Sequence, residues 1–136
     1  MGESQKHIDL VKTAVDYIKE IVPVKTTGLI AYDSPDSDNQ TPKIGDYIPD
    51  VYYWHDDIMI VGEAKTINDF ENKHSFAQFD TYMNACTDFF GKATLVICVP
   101  WELGATAKNH FRRLKRIKNS DVTVVVINDV GWIEKI

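Results

Sequence analysis

Between residues 5 and 22, apolar side chains recur at Ile8, Val11, Val15, Ile18 and Val22, with Asp9, Lys12, Asp16 and Lys19 on the opposite side. That three-and-four spacing predicts a helix with one buried stripe. Pro23 stops it, because proline offers no N–H and collides with the preceding turn. Residues 26–32 (TTGLIAY) read as a short strand, and residues 34–43 (SPDSDNQTPK) as a loop with two prolines and no aliphatic residue. A loop of that length inside a compact domain is either mobile or a contact element. Residues 48–54 (IPDVYYW) and 58–65 (IMIVGEAK) predict two strands, rich in aromatic and β-branched residues, joined by a tight acidic turn at His55, Asp56 and Asp57. Residues 68–89 predict a helix, amphipathic through Phe76, Phe79, Met83 and Cys86 or Phe90, which Gly91 ends. Residues 93–99 (ATLVICV) form a near-continuous apolar run, as in a strand covered on both faces. Residues 103–118 predict a last helix with Leu103, Ala107, Phe111, Leu114 and Ile117 inward, and residues 122–127 (VTVVVI) a closing strand.

The order α-β-β-β-α-β-α-β predicts one α/β domain, a mixed sheet flanked by helices with right-handed crossovers. A chain of 136 residues suits a single core. Its composition, 44% hydrophobic and 26% charged, excludes a disordered tail or a coiled-coil rod. No apolar run approaches the roughly 18–20 residues of a membrane helix, and residues 1–6 lack the apolar core of a secretory signal. Cys86 and Cys98 have no CxxC spacing and read as buried small hydrophobes of a reducing, cytoplasmic protein.

Charge changes the picture through its distribution. The net charge is -5, with 20 acids against 15 bases, which argues against general coating of polyanions. Yet residues 108–118 hold six bases (Lys108, Arg112, Arg113, Lys115, Arg116 and Lys118) and no acid. This is either a solvated helix face or a nucleic-acid contact.

The strongest chemical signal is Pro49-Asp50 followed, after twelve intervening residues, by Glu63-Ala64-Lys65. With Asp56 and Asp57 as a two-residue loop, His55 pairs with Ile58 and Asp50 falls opposite Glu63, with Cβ atoms about 4.5–5.5 Å apart. Alternation puts Glu63 and Lys65 on one face, and Gly62 and Ala64 on the other, where a helix can pack closely. Two carboxylates this close repel unless a cation sits between them. Carboxylate oxygens with water and phosphate are the ligands Mg²⁺ prefers. A lysine beside them can orient or help deprotonate an attacking water and stabilise charge on a phosphoryl transition state.

These residues, on two adjacent strands after a helix and a strand, resemble the motif of the PD-(D/E)XK nuclease superfamily, whose restriction-endonuclease-like core runs αβββαβ. The resemblance implies a Mg²⁺- or Mn²⁺-dependent endodeoxyribonuclease, with Asp50 and Glu63 as metal-binding acids, the Ala64 carbonyl as a backbone ligand and Lys65 as the catalytic lysine. Some branches carry Gln-x-x-x-Tyr on the following helix, which Gln78 (catalytic) and Tyr82 (DNA-binding) match; ordinary helix surface is the alternative. Many members place an acid on the first helix, a position open to Asp9, Glu3 or Glu20. With such a site, Lys108, Arg112, Lys115 and Arg116 become expected phosphate contacts. DNA is the expected partner, with a second copy of the chain or a partner subunit. The alternatives are a non-catalytic nucleic-acid-binding or assembly module of the same fold, and a hydrolase acting on RNA or nucleotides. His7, His55, His74 and His110 are scattered and read as surface or packing residues. Trp54, Trp101 and Trp132 read as packing anchors, with base-stacking platforms as the alternative. No nucleotide-binding glycine motif or nucleophile motif occurs.

Overall fold

In the computed structural model, which describes residues 4–32 and 40–136, the sheet is laid down in the order of the chain. Helix α1 (Gln5–Ile21) starts at Ser4, whose side chain accepts the His7 N–H, and stops where Val22 turns extended before Pro23. Strand β1 (Ala31–Tyr32) pairs antiparallel with β2 (Val51–His55), and β2 antiparallel with β3 (Ile58–Ala64). A short helix α2 (Ile67–Phe70) and a longer α3 (Lys73–Asp88) lead to β4 (Lys92–Val99), parallel to β3. Helix α4 (Gly104–Lys118) leads to β5 (Thr123–Asn128), parallel to β4, and β6 (Ile133–Lys135) adds antiparallel. The chain forms a single α/β domain with a six-stranded mixed sheet packed against helices.

Both parallel crossovers advance the same way across the sheet, so right-handed connections put α3 and α4 on one face. There Met59, Val61, Leu95, Ile97, Val124 and Val126 meet Phe79, Met83 and Phe111. The other face, with Ile60, Val96, Val125 and Ile127, is covered by Leu10, Val11, Ala14 and Ile18 of α1. Residues Ala93 to Val99 of β4 are therefore buried on both sides, as their continuous apolar run predicts. A Cβ on Gly62 would stand 2.9 Å from that of Val51 and 3.7 Å from Ile18 Cδ1, so its missing side chain lets α1 and β2 close over the β3 strand.

Several expectations change. Residues 24–29 form a 3-10 turn rather than a strand, leaving only two strand residues behind it. The Thr26 hydroxyl donates to the Pro23 carbonyl (2.8 Å) and the Thr27 hydroxyl to that of Val24 (2.9 Å). Such local bonds compete with a ladder. Strand β2 begins at Val51, after Pro49, which has no N–H to give. The helix expected over 68–89 is broken at Glu71 and Asn72, because the Asn72 side chain accepts the Ser75 N–H (2.8 Å) and starts a new helix. Phe90 and Ile117, expected inward, are 75% and 71% exposed. Trp54, Trp101 and Trp132 are more than half exposed rather than buried as core anchors, although the Trp54 indole N–H donates to the Asp56 carbonyl (2.9 Å). Strand β6 was not anticipated: it is three residues long and exposed throughout. Most of the loop over 34–43 lies outside the described residues. Among those described, no helix is long and apolar enough to cross a membrane.

Candidate active site

The β2–β3 hairpin keeps the register that a two-residue loop demands: His55 faces Ile58 and Val51 faces Gly62. One step further, the same register sets Asp50 opposite Glu63 and Pro49 opposite Ala64. Proline cannot continue the ladder, and the Asp50 carboxylate takes the place of its missing partner. The Ala64 N–H donates to Asp50 Oδ2 at 2.9 Å. The next amide, Lys65 N–H, turns the other way and donates to the Cys98 carbonyl of β4 at 3.0 Å. Because N–H and C=O of one strand residue point to the same side, the Ala64 carbonyl also faces the proline, which has no hydrogen to return.

Asp50, Glu63, Lys65 and Gln78 come together and are at most 8% exposed. Lys65 Nζ donates to Gln78 Oε1 from α3 and lies 3.4 Å from Glu63 Oε2. Glu63 Oε1 is buried with no hydrogen-bond partner among the described residues. Burial first, and the adjacent Asp50 charge second, push the Glu63 carboxyl well above its usual range, against the pull of Lys65. The Tyr82 hydroxyl is buried beside the pair, and burial first, then the Glu63 and Asp50 charges, raise its pKa. Gln78 and Tyr82 thus wall the acid pair, and the helix-surface alternative for them falls. Tyr82, at 0% exposure, offers DNA no outer surface. The Ile44–Tyr47 turn packs against this wall, with the Tyr47 ring edge-on to Tyr82.

The contribution of α1 is a residue that the pattern of acids did not single out. His7 Nε2 lies 3.2 Å from Asp50 Oδ2, within hydrogen-bonding distance. The Ala64 N–H and the His7 ring thus meet on the same Asp50 oxygen. Of the first-helix acids, Asp9 is exposed and accepts from Gln5 (2.8 Å), Glu20 is exposed, and Glu3 lies outside the described residues. The other histidines are not at the site; His110, for example, stacks on Phe76. The available signal was helical spacing: His7 precedes Val11, Ala14 and Ile18 on the buried stripe.

The basic helix is not part of this cluster. Helix α3 packs over β3 and β4, and α4 over β4 and β5, so α4 stands on the far side of α3 from the acids. Lys108 is paired with Glu134 (2.9 Å), Lys118 with Asp80 (2.6 Å), and Lys115 donates to the Ile136 carbonyl (2.8 Å). Arg112 and Arg116 are exposed and unpaired among the described residues. Both cysteines are free and buried, and burial pushes their thiols up to about 12, which disqualifies them as nucleophiles near neutral pH.

Three His, Cys, Asp or Glu side chains are nowhere gathered as a ready-made metal cluster among the described residues. Mg²⁺ does not require one, since one or two carboxylates with water and phosphate oxygens suffice. The donors present fit such an ion: two adjacent carboxylates, one with an orphaned oxygen, beside a carbonyl facing a proline.

A carboxyl group raised by burial favours the folded chain at acid pH. It loses that contribution as pH climbs through its folded value. Glu63→Gln keeps the shape, cannot ionise, and takes the Asp50–Glu63–Lys65 cluster from one net negative charge to none. Without metal near pH 8, it should stabilise the protein by about 1–2 kcal/mol, roughly 3–8 °C in Tm. It should also flatten the fall in stability above about pH 5. A lower Tm than wild type would show that the ionised carboxylate is already compensated.

The chain matches no known protein-family model, no curated protein and no solved structure.

Proposed function

We propose that the domain is a metal-dependent endodeoxyribonuclease. The observation that carries the reading is the buried meeting of Asp50 and Glu63 beside Lys65, whose ammonium lies 3.4 Å from Glu63 Oε2. Asp50, Glu63 and the Ala64 carbonyl would hold Mg²⁺ or Mn²⁺. When bound, such an ion supplies Lewis-acid polarisation of a phosphate oxygen and lowers the pKa of water. The rest falls to the chain's own groups. The Ala64 N–H and His7 both contact Asp50 Oδ2 and so orient its carboxylate. Gln78 holds the Lys65 ammonium on the acid side of β3, where it can orient a water for in-line attack and offset charge growing on the phosphate. Tyr82 closes the inner wall and excludes bulk water.

The near-complete burial of the four polar side chains favours a second reading, a non-catalytic nucleic-acid-binding or assembly module in which they serve as a structural polar network.

The deciding experiment is cleavage of supercoiled, linear, single-stranded and four-way-junction DNA, with an RNA control, in Mg²⁺, Mn²⁺ or EDTA. Metal-dependent cutting supports the nuclease; DNA binding without cutting under any condition supports the module. Calorimetry tests the ligand assignment. Asp50→Asn keeps an acceptor for the Ala64 N–H but removes the charge, and should weaken Mg²⁺ binding at least tenfold. Unchanged affinity would break the assignment.

A further inference from the structure

Apart from the acid cluster, a concavity lies on the same side of the sheet as α4, where the start of that helix faces the β5–β6 hairpin. It is a cleft of about 370 Å³, walled by Trp101 and Trp132. These indoles are 61% and 69% exposed and make no ring contact with each other among the described residues. Exposing two tryptophans in one hollow sacrifices apolar burial that either would gain by packing. The floor is kept open by Gly104, where an added Cβ would meet nothing within 4 Å. The rim carries Asn128, whose Oδ1 already accepts the Val130 and Trp132 N–H groups so that its NH2 is the group left to a ligand, and the Lys108–Glu134 ion pair. Along α4 from Lys108, Arg112 and Arg116, exposed and unpaired among the described residues, follow at helical spacing and continue the same basic face. Aromatic platforms beside a basic track are the physical means by which proteins hold single-stranded nucleic acid: bases stack and phosphates lie along the charges.

We propose that the cleft between Trp101 and Trp132 is a stacking subsite for an unpaired base of a DNA strand whose backbone runs along Arg112 and Arg116. It deepens the nucleic-acid reading above and rests on it. The subsite would favour substrates with single-stranded ends, flaps or junctions over blunt duplex.

The test is fluorescence anisotropy with a labelled ten-nucleotide thymidine strand and a blunt duplex, both in EDTA so that no cleavage intervenes. Trp132→Ala should weaken single-strand binding by roughly 5- to 100-fold, the range for loss of one stacked base. Trp132→Phe should recover much of it, and duplex binding should change little. Gly104→Leu fills the cleft while leaving both indoles in place and should reproduce the loss; a helix-compatible backbone at Gly104 makes it the safer variant to fold. Unchanged single-strand affinity in both Trp132→Ala and Gly104→Leu overturns the subsite. So does a wild-type dimer in light scattering that either variant converts to monomer, since the cleft would then be a contact between copies. The cleavage assay separates the two failures. Wild type that cuts DNA while its binding ignores Trp132 loses only the subsite. Wild type that neither binds nor cuts DNA with any metal loses the nucleic-acid reading and the subsite together.

Discussion

Lys65→Ala should reduce metal-dependent DNA cleavage by at least about 10²–10³-fold, the usual loss when one preorganised electrostatic partner of a transition state is removed. The variant should also be less stable without metal. Lys65 is the cation paired with Glu63 at 3.4 Å in a buried setting, and its removal leaves two adjacent carboxylates uncompensated. Breaking a buried pair from one side costs about 3–5 kcal/mol. A divalent ion would restore the lost charge balance, so Mg²⁺ should raise the Tm of Lys65→Ala more than that of wild type. Thermal melts with and without Mg²⁺, next to the cleavage assay, read both effects. Cleavage at the wild-type rate would remove Lys65 from the mechanism. A Tm indifferent to Mg²⁺ in the variant would argue that the acids do not hold the ion.

Gly91→Ala should be the most destabilising single-methyl change in the hairpin region. A Cβ there would lie 2.0 Å from the Asp57 carbonyl oxygen and 2.7 Å from its carbon, both backbone atoms that no rotamer change can clear. The same carbonyl accepts the Lys92 N–H at 2.7 Å, which ties the start of β4 to the β2–β3 turn. Making room would part the Ile58–Lys92 end of the β3–β4 ladder. The expected cost is roughly 3–4 kcal/mol, above the common range for overpacking because the clash is with backbone. Urea denaturation measures it, with Gly104→Ala as the comparison. That glycine sits in helical backbone with nothing near its absent Cβ, and alanine there should stabilise slightly. A Gly91→Ala midpoint equal to wild type would show that the turn moves freely.

The legible parts of the fold were those where one local rule acts alone. The two-residue loop fixed the hairpin register, with Asp56 adopting a left-handed φ of 53° that aspartate tolerates, and alternation then set Glu63 and Lys65 on one face. The apolar run of β4 announced a strand with two covered faces. Where two rules competed, pattern alone misled. Thr26 and Thr27 favour a strand by propensity but bonded to nearby carbonyls instead, and Asn72 interrupted a continuous amphipathic stretch by capping a new helix. His7 escaped because its partner, Asp50, is brought to it only by the tertiary fold. The three tryptophans escaped for a different reason: hydrophobicity indicates that an indole would gain by burial, not that anything is there to bury it.

The margins of the sheet bear on how copies of the molecule behave when crowded. Among the described residues, the outermost strands are β1, with two residues, and β6, with three, of which Glu134 and Lys135 are charged. Short margins, one of them charged, are poor templates for another backbone. The apolar strands that would nucleate fibrils, β3 to β5, are all interior. Concentrated protein should therefore resist β-type aggregation, and any pairing of copies should proceed through side-chain surfaces rather than by extending one sheet into the next.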